Sequence, residues 1–233
     1  LDGLWHQGVA GIVLRAYIGA PWPEEEMAAA DWSNFSVVKL SRALPALPFH
    51  LVRHSAADYM RLTLEKVVAA GYRRIAVILH TSASEVDDDA RYGVVKAFQD
   101  RRCPPGVQIA MREVPPAEIR NIARDTANWM VSQRPDAVIL PVASMIDALH
   151  RMSPRLPAGV GVAAVLSSLG PQARGPVVSA CDTASIETHA IALGVLRDLI
   201  LRGDRGGVAR VSEHVVEPVW IEGETLPPVR PRP

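Results

Sequence analysis

EKVVAAGYRRIAVIL, residues 65–79, is the stretch on which the reading of this chain turns. Val67, Val68 and Ala70 place apolar side chains just before Gly71. Glycine suits the residue after a helix end, because it takes positive φ without a steric penalty. Tyr72, Arg73 and Arg74 then lead into Ile75, Ala76, Val77, Ile78 and Leu79. That run is short, almost continuously apolar and rich in β-branched residues, the pattern of a strand buried on both faces. Helix, glycine stop and buried strand together form the repeating joint of an α/β fold.

The same grammar extends in both directions. Upstream, residues 4–8 read as a helix end, and Gly8-Val9-Ala10-Gly11 runs into a strand at Ile12, Val13 and Leu14. Arg15 and Tyr17 follow that strand. Glu24, Glu25 and Glu26 open a short helix, since acids suit the first turn. Residues 36–40 and 49–52 read as further strands, separated by the proline-rich loop 44–48. Arg53 and His54 come after the second of these, and a helix from Ala56 leads back to Gly71.

Downstream, residues 80–89 read as a polar loop, and a helix over 90–99 carries Arg91 in its first turn. Residues 107–111 read as a strand. A helix opens at Pro115-Pro116 and runs through Trp129. Residues 137–140 are a buried strand and 144–152 a helix beginning at Ser144. A strand over 159–166 ends at Ser167, and one over 177–180 ends at Cys181 and Asp182. Residues 185–201 are a long helix, 211–221 the last extended segment, and the proline-rich tail 227–233 a loose end. Strands and helices alternate in two batches, before His54 and after Gly71, which predicts two parallel-sheet lobes with a cleft between them.

Composition narrows the function. The chain has 233 residues, room for one large domain or two small ones. Lys plus Arg and Asp plus Glu both number 25, so there is no basic excess of the kind a free-standing nucleic-acid binder carries. No apolar run reaches membrane-spanning length, and the first residues are not a signal peptide. Cys103 and Cys181 form no CxxC or metal pattern and read as reduced cytosolic thiols.

Enzymatic motifs are missing: there is no GxSxG elbow, phosphate-loop pattern or HExxH, and the glycines at 8 and 11 lack dinucleotide spacing. His50 and His54 are spaced i, i+4 but flank a strand end rather than a helix face. Asp87-Asp88-Asp89 lacks the spacing of a calcium loop. We expect no enzyme activity, no cofactor and no metal.

Taken in order, GVAGIVL (8–14), WSNFSVVKL (32–40), the span from Pro48 through GYRRIAVIL, RPDAVIL (134–140), LPAGVGVAAV (156–165), ACDTASIETHAIALGVLRDLILRG (180–203) and EPVWIEGETL (217–226) carry a resemblance. The chain resembles the effector-binding region of lactose-repressor/galactose-repressor (LacI/GalR) type transcription regulators, which are similar to type I periplasmic binding proteins. The resemblance implies two Rossmann-like parallel-sheet lobes, with the chain crossing between them near His54, Asp182 and His214. Residues 1–54 plus 183–214 would form the N-terminal lobe, 55–182 plus 215–226 the C-terminal lobe, and 227–233 the tail. Leu1 falls where the family's second helix should be, so the N-terminal lobe is expected to be incomplete here. A helix-turn-helix headpiece, by which the intact protein would bind operator DNA, is expected to lie outside these residues.

By the same resemblance the protein is a cytoplasmic homodimer and senses a small-molecule effector, a sugar or related metabolite, in the interlobe cleft. The alternative is a periplasmic-type solute-binding protein of a sugar transporter. In open parallel sheets ligands sit beyond the carboxyl ends of the strands, which singles out Arg15, Tyr17, His54, Arg91, Ser144, Ser167 and Asp182. Arg15 and Arg91 offer forked donors to hydroxyls or a carboxylate. His54 stands where many members carry an Asp, and it reads as the better cleft residue than His80. Arg15 and Tyr17 read equally as a surface cation and a packing aromatic, His54 as a hinge residue bonded to backbone, and Asp182 as a helix cap. Many sugar-responsive members have an acid where Leu166 and Ser167 stand, and an Asn-Asp pair where Pro141-Val142-Ala143 stands. The resemblance therefore leaves as effector a different sugar, an anionic metabolite, or nothing that the family's average would predict. Trp32 and Trp220 read as packing residues rather than sugar-stacking ones.

Overall fold

The structure, a computed structural model, describes residues 1–15, 24–40, 42, 47–81, 85–167, 177–182 and 185–229. In chain order the first elements are α1 (Asp2–His6), β1 (Gly11–Leu14), α2 (Glu24–Ala29), β2 (Ser36–Lys39) and β3 (His50–His54). Next come α3 (Ala56–Ala69), β4 (Arg74–His80), α4 (Glu85–Arg101), β5 (Gln108–Val114) and α5 (Arg124–Ser132). They are followed by β6 (Ala137–Val142), α6 (Ile146–Arg151), β7 (Gly161–Ser167) and β8 (Ser179–Asp182). The last are α7 (Ser185–Arg202), β9 (Glu213–Val216) and β10 (Val219–Ile221). The chain divides into two compact units, Leu1–Ser55 with Ala184–Glu217, and Ala56–Thr183 with Pro218–Pro233.

The first unit is built on a four-stranded, all-parallel sheet in the order β1-β2-β3-β9. Successive strand residues point to opposite faces, so Val37 and Val38 serve different cores. Leu14, Trp32, Phe35, Val37 and Phe49 pack together. Val38, Val52 and Val216 pack with Ala192, Leu196 and Leu199 of α7. Gly11 lets α7 lie close on β1: a Cβ there would stand 2.8 Å from Ile200 Cδ1 and 2.9 Å from Leu196 Cδ1. Trp32 is buried, donates from Nε1 to the Met27 carbonyl at 2.9 Å and meets Phe49 edge-on, so it is a packing residue.

The second unit holds a six-stranded sheet in the order β10-β8-β7-β6-β4-β5, parallel apart from β10. The joint at residues 65–79 forms as the sequence dictates. Gly71 takes φ +98° and donates its N–H to the Val68 carbonyl at 3.0 Å, closing α3. β4 then runs between β5 and β6 with both faces covered. Ile75, Val77 and Leu79 face a cluster with Tyr59, Leu64 and Val67 of α3, whereas Ala76 and Ile78 face Met130, Leu140 and Leu149. Burial of this kind contributes about 25 cal/mol per Å² of apolar surface, which is why the run tolerates no polar residue until His80.

Four local expectations differ from the structure. Residues 85–89 belong to α4 rather than to a loop; Asp87 and Asp88 are acids near a helix N-terminus, where the dipole favours them. Arg91 consequently sits in the second turn. The helix expected from Pro115 is a 3₁₀ turn, Pro116–Ile119, followed by a break and then α5. The Glu118 carboxylate accepts the Ala123 N–H at 3.0 Å and holds that break. The extended segment 211–221 divides at Glu217-Pro218 into β9 and β10, which join different sheets. Finally, residues 227–229 are tied down: Tyr72 Oη donates to the Pro227 carbonyl and the Val229 N–H to the Ala70 carbonyl, both at 2.7 Å. Proline-rich backbone keeps its carbonyls free, and here the Gly71 joint uses one of them. No helix among the described residues is long and apolar enough to cross a membrane.

Candidate functional site at the strand carboxyl ends

In the first unit the carboxyl ends of β1 and β3 present Arg15 and His54. Arg15 follows β1 in an exposed position, with Nη1 3.5 Å from His189 Nε2 on α7. His54 is the last residue of β3, half-buried and paired in register with Val216 of β9. Its carbonyl accepts a hydrogen bond from Arg53 Nη1 at 3.0 Å. Lys39 ends β2, buried, and donates to the Leu47 carbonyl at 2.7 Å. Burial pushes its pKa down, opposed by the charge of Glu213. Tyr17 lies outside the described residues.

In the second unit the parallel strands bring four of the singled-out positions to one sheet edge. Ser144 sits exposed in a 3₁₀ turn, Ala143–Met145, directly after β6. Ser167 ends β7 in register with Asp182, which ends β8 half-buried. The side chain of Ser167 lies outside what the structure describes. β4 contributes His80 at the same edge, and α4 returns Arg91 beside it.

His80, which the sequence ranks behind His54 as a cleft residue, is the residue the structure adds. It is 4% exposed and its Nδ1 has no hydrogen-bond partner among the described residues. Arg91 is 8% exposed; its Nη2 pairs with Asp88, while its Nε is likewise buried without a partner. Burial, reinforced by the Arg91 charge and opposed by Asp88, pulls the imidazole pKa down to about 4, so His80 is neutral at pH 7. Buried polar groups are almost always satisfied, and each exception calls for an explanation. The one signal for His80 in the sequence was its position, immediately after five apolar residues at a strand's carboxyl end.

The three side chains together carry no net charge: neutral imidazole, guanidinium and carboxylate. Arg91 Nε can only donate. His80 Nδ1 donates or accepts according to tautomer. A hydroxyl group, which both donates and accepts, meets both demands. Among the described residues no group of three or more His, Cys, Asp or Glu side chains is placed to hold a metal ion. Trp220 is half-buried, stands opposite Cys181 in the sheet, and carries Lys66 Nζ 6.0 Å from its ring centroid.

No protein-family model matches the sequence, and neither does any curated protein. Solved structures do match over nearly its whole length. A LacI transcriptional regulator from a Rhodococcus species superposes with a TM-score of 0.67 at 17% identity, over 98% of this chain and 82% of that one. A periplasmic binding protein/LacI transcriptional regulator from Alkaliphilus metalliredigens, complexed with D-xylulofuranose, gives 0.64 at 18% identity, over 97% and 80%. A LacI family transcriptional regulator from Enterococcus faecium with bound ribose gives 0.64 at 12% identity, over 98% and 83%. The fold is that of LacI-family regulators of the periplasmic-binding-protein-like class, as the order of the sequence motifs implied.

Proposed function

We propose that this chain is the effector-sensing and dimerisation region of a DNA-binding transcription regulator, a cytoplasmic repressor, and that its effector is a neutral sugar. The observation that carries the ligand assignment is the pair of buried polar atoms left unpartnered at the carboxyl end of β4, His80 Nδ1 and Arg91 Nε. The pairing of Arg91 with Asp88 leaves less free positive charge for an anion, which favours a hydroxyl over the anionic metabolite that the sequence left open. The sugars bound by solved proteins of the same fold support that class. Ser144, Ser167 and Asp182 would supply further contacts from the same sheet edge. The effector acts by binding one conformation more tightly than another. Nothing in this scheme asks for catalysis.

Thermal unfolding tests the ligand class, because a ligand that binds only the folded state raises the midpoint by mass action. D-ribose and D-xylulose are expected to raise it, D-gluconate to leave it unchanged, and His80→Leu to abolish the response. A gluconate response equal to that of the sugars would overturn the neutral-sugar assignment. Light scattering on the full-length protein should give a dimer mass, and that protein should retard operator-containing DNA. A monomer that ignores DNA would instead favour the solute-binding protein of a sugar transporter.

A further inference from the structure

We propose that the second unit carries another small-molecule site, at the opposite end of its sheet, that takes a compact apolar carboxylate. After α6 ends at Arg151, the chain passes through residues 152–160 before entering β7. A cavity of about 390 Å³ opens there, floored by Leu149, Leu156, Val160 and Val162 and rimmed by His150 and Arg155. Its volume lies near the lower end of the range for small-molecule sites, roughly 300–1,000 Å³.

The floor is continuous with the core of the unit. Leu149 and Val162 belong to the buried cluster, and Leu156 and Val160 pack against it. It is also held firmly. The Val162 N–H donates to the Thr225 carbonyl and Thr225 Oγ1 donates to the Val162 carbonyl, both at 2.7 Å. Beneath the first residue of β7 the Tyr72 ring stands where a Gly161 Cβ would be, with Cζ 2.4 Å from that point.

The rim sets the charge of the ligand. Among the described residues, no acidic side chain lines the cavity. Neither Arg155 nor His150 forms an ion pair or hydrogen bond among the described residues. The planar guanidinium presents a fork that matches a carboxylate, while the side chains of the floor offer only carbon. A carboxylate on a phenyl-sized or branched-alkyl body satisfies both, whereas a polyol would leave the apolar floor uncovered. This site is independent of the strand-end cluster, because α6 leaves the carboxyl edge of β6 and ends at the amino edge of β7.

Heteronuclear NMR titration of the full chain with 3-phenylpropanoate, against its amide 3-phenylpropanamide, tests the assignment. The acid should shift the resonances of Leu149, Val160 and Val162, and the amide should bind at least about tenfold more weakly, as loss of a charged hydrogen bond implies. Arg155→Glu, at an exposed position, should weaken the acid by a similar factor. Val160→Trp should block it by filling the floor, and His80→Leu should leave it unchanged. Equal binding of acid and amide, or unaltered binding by Arg155→Glu, would overturn the proposal, as would shifts confined to other residues.

Discussion

The Asp136 carboxylate accepts the backbone N–H of Arg74 at 2.8 Å, across 62 residues of chain, and that of Arg73 as well. One side chain at the head of β6 therefore starts β4 in register. Asp136→Ala should lower stability by about 1–3 kcal/mol, because two strand-opening donors lose their partner. Asp136→Asn, which keeps one acceptor oxygen, should recover part of it. Urea denaturation reads both, and an alanine variant as stable as the parent would refute the role.

Gly161 faces the Tyr72 ring so closely that a Cβ would stand 2.5 Å from Oη and 2.8 Å from Cε1. Gly161→Ala should therefore destabilise the fold by about 1–3 kcal/mol through overpacking. Combining it with Tyr72→Leu should cost less than the sum of the two single changes. Strict additivity in the double-mutant cycle would show that the two residues do not share the space.

His80 makes stability pH-dependent. Its folded-state pKa is depressed to about 4 from 6.5, so between these values the unfolded chain binds a proton that the folded chain does not. Stability must then fall as pH is lowered through that window, by on the order of 3 kcal/mol at 1.36 kcal/mol per pH unit, and level off below it. His80→Leu should remove this component. Chemical denaturation at a series of pH values would show it as a shallower slope between pH 6.5 and 4, and coincident profiles would contradict the burial of His80.

The two thiols should differ in reactivity. Cys181 is fully buried, and burial pushes its pKa up to about 11, partly offset by a hydrogen bond with Thr63 and the charge of Lys66. Cys103 is half-buried, and burial raises its pKa. Since the thiolate is the reactive form, iodoacetamide at pH 8 should label Cys103 first in the native protein and Cys181 only on unfolding. Peptide mass spectrometry distinguishes the two, and early labelling of Cys181 would be inconsistent with its placement.

The sequence by itself determined the α/β alternation, the buried character of β4 and the glycine stop at position 71. These follow from periodicity and backbone preference over a few residues, and such local signals survive in one dimension. The positions Ser144, Ser167 and Asp182 were legible for the same reason, since a strand's end is visible wherever an apolar run stops. Tertiary structure alone decided that residues 213–216 and 219–221, almost adjacent in sequence, belong to different sheets. It also decided that α4 packs back on β4 and brings Arg91 beside His80. Both outcomes are packing arrangements that the local sequence pattern does not record. At residues 65–79 the two kinds of information meet: the helix, stop and strand were written locally, whereas the register set by Asp136 and the burial of the closing histidine came only with the fold.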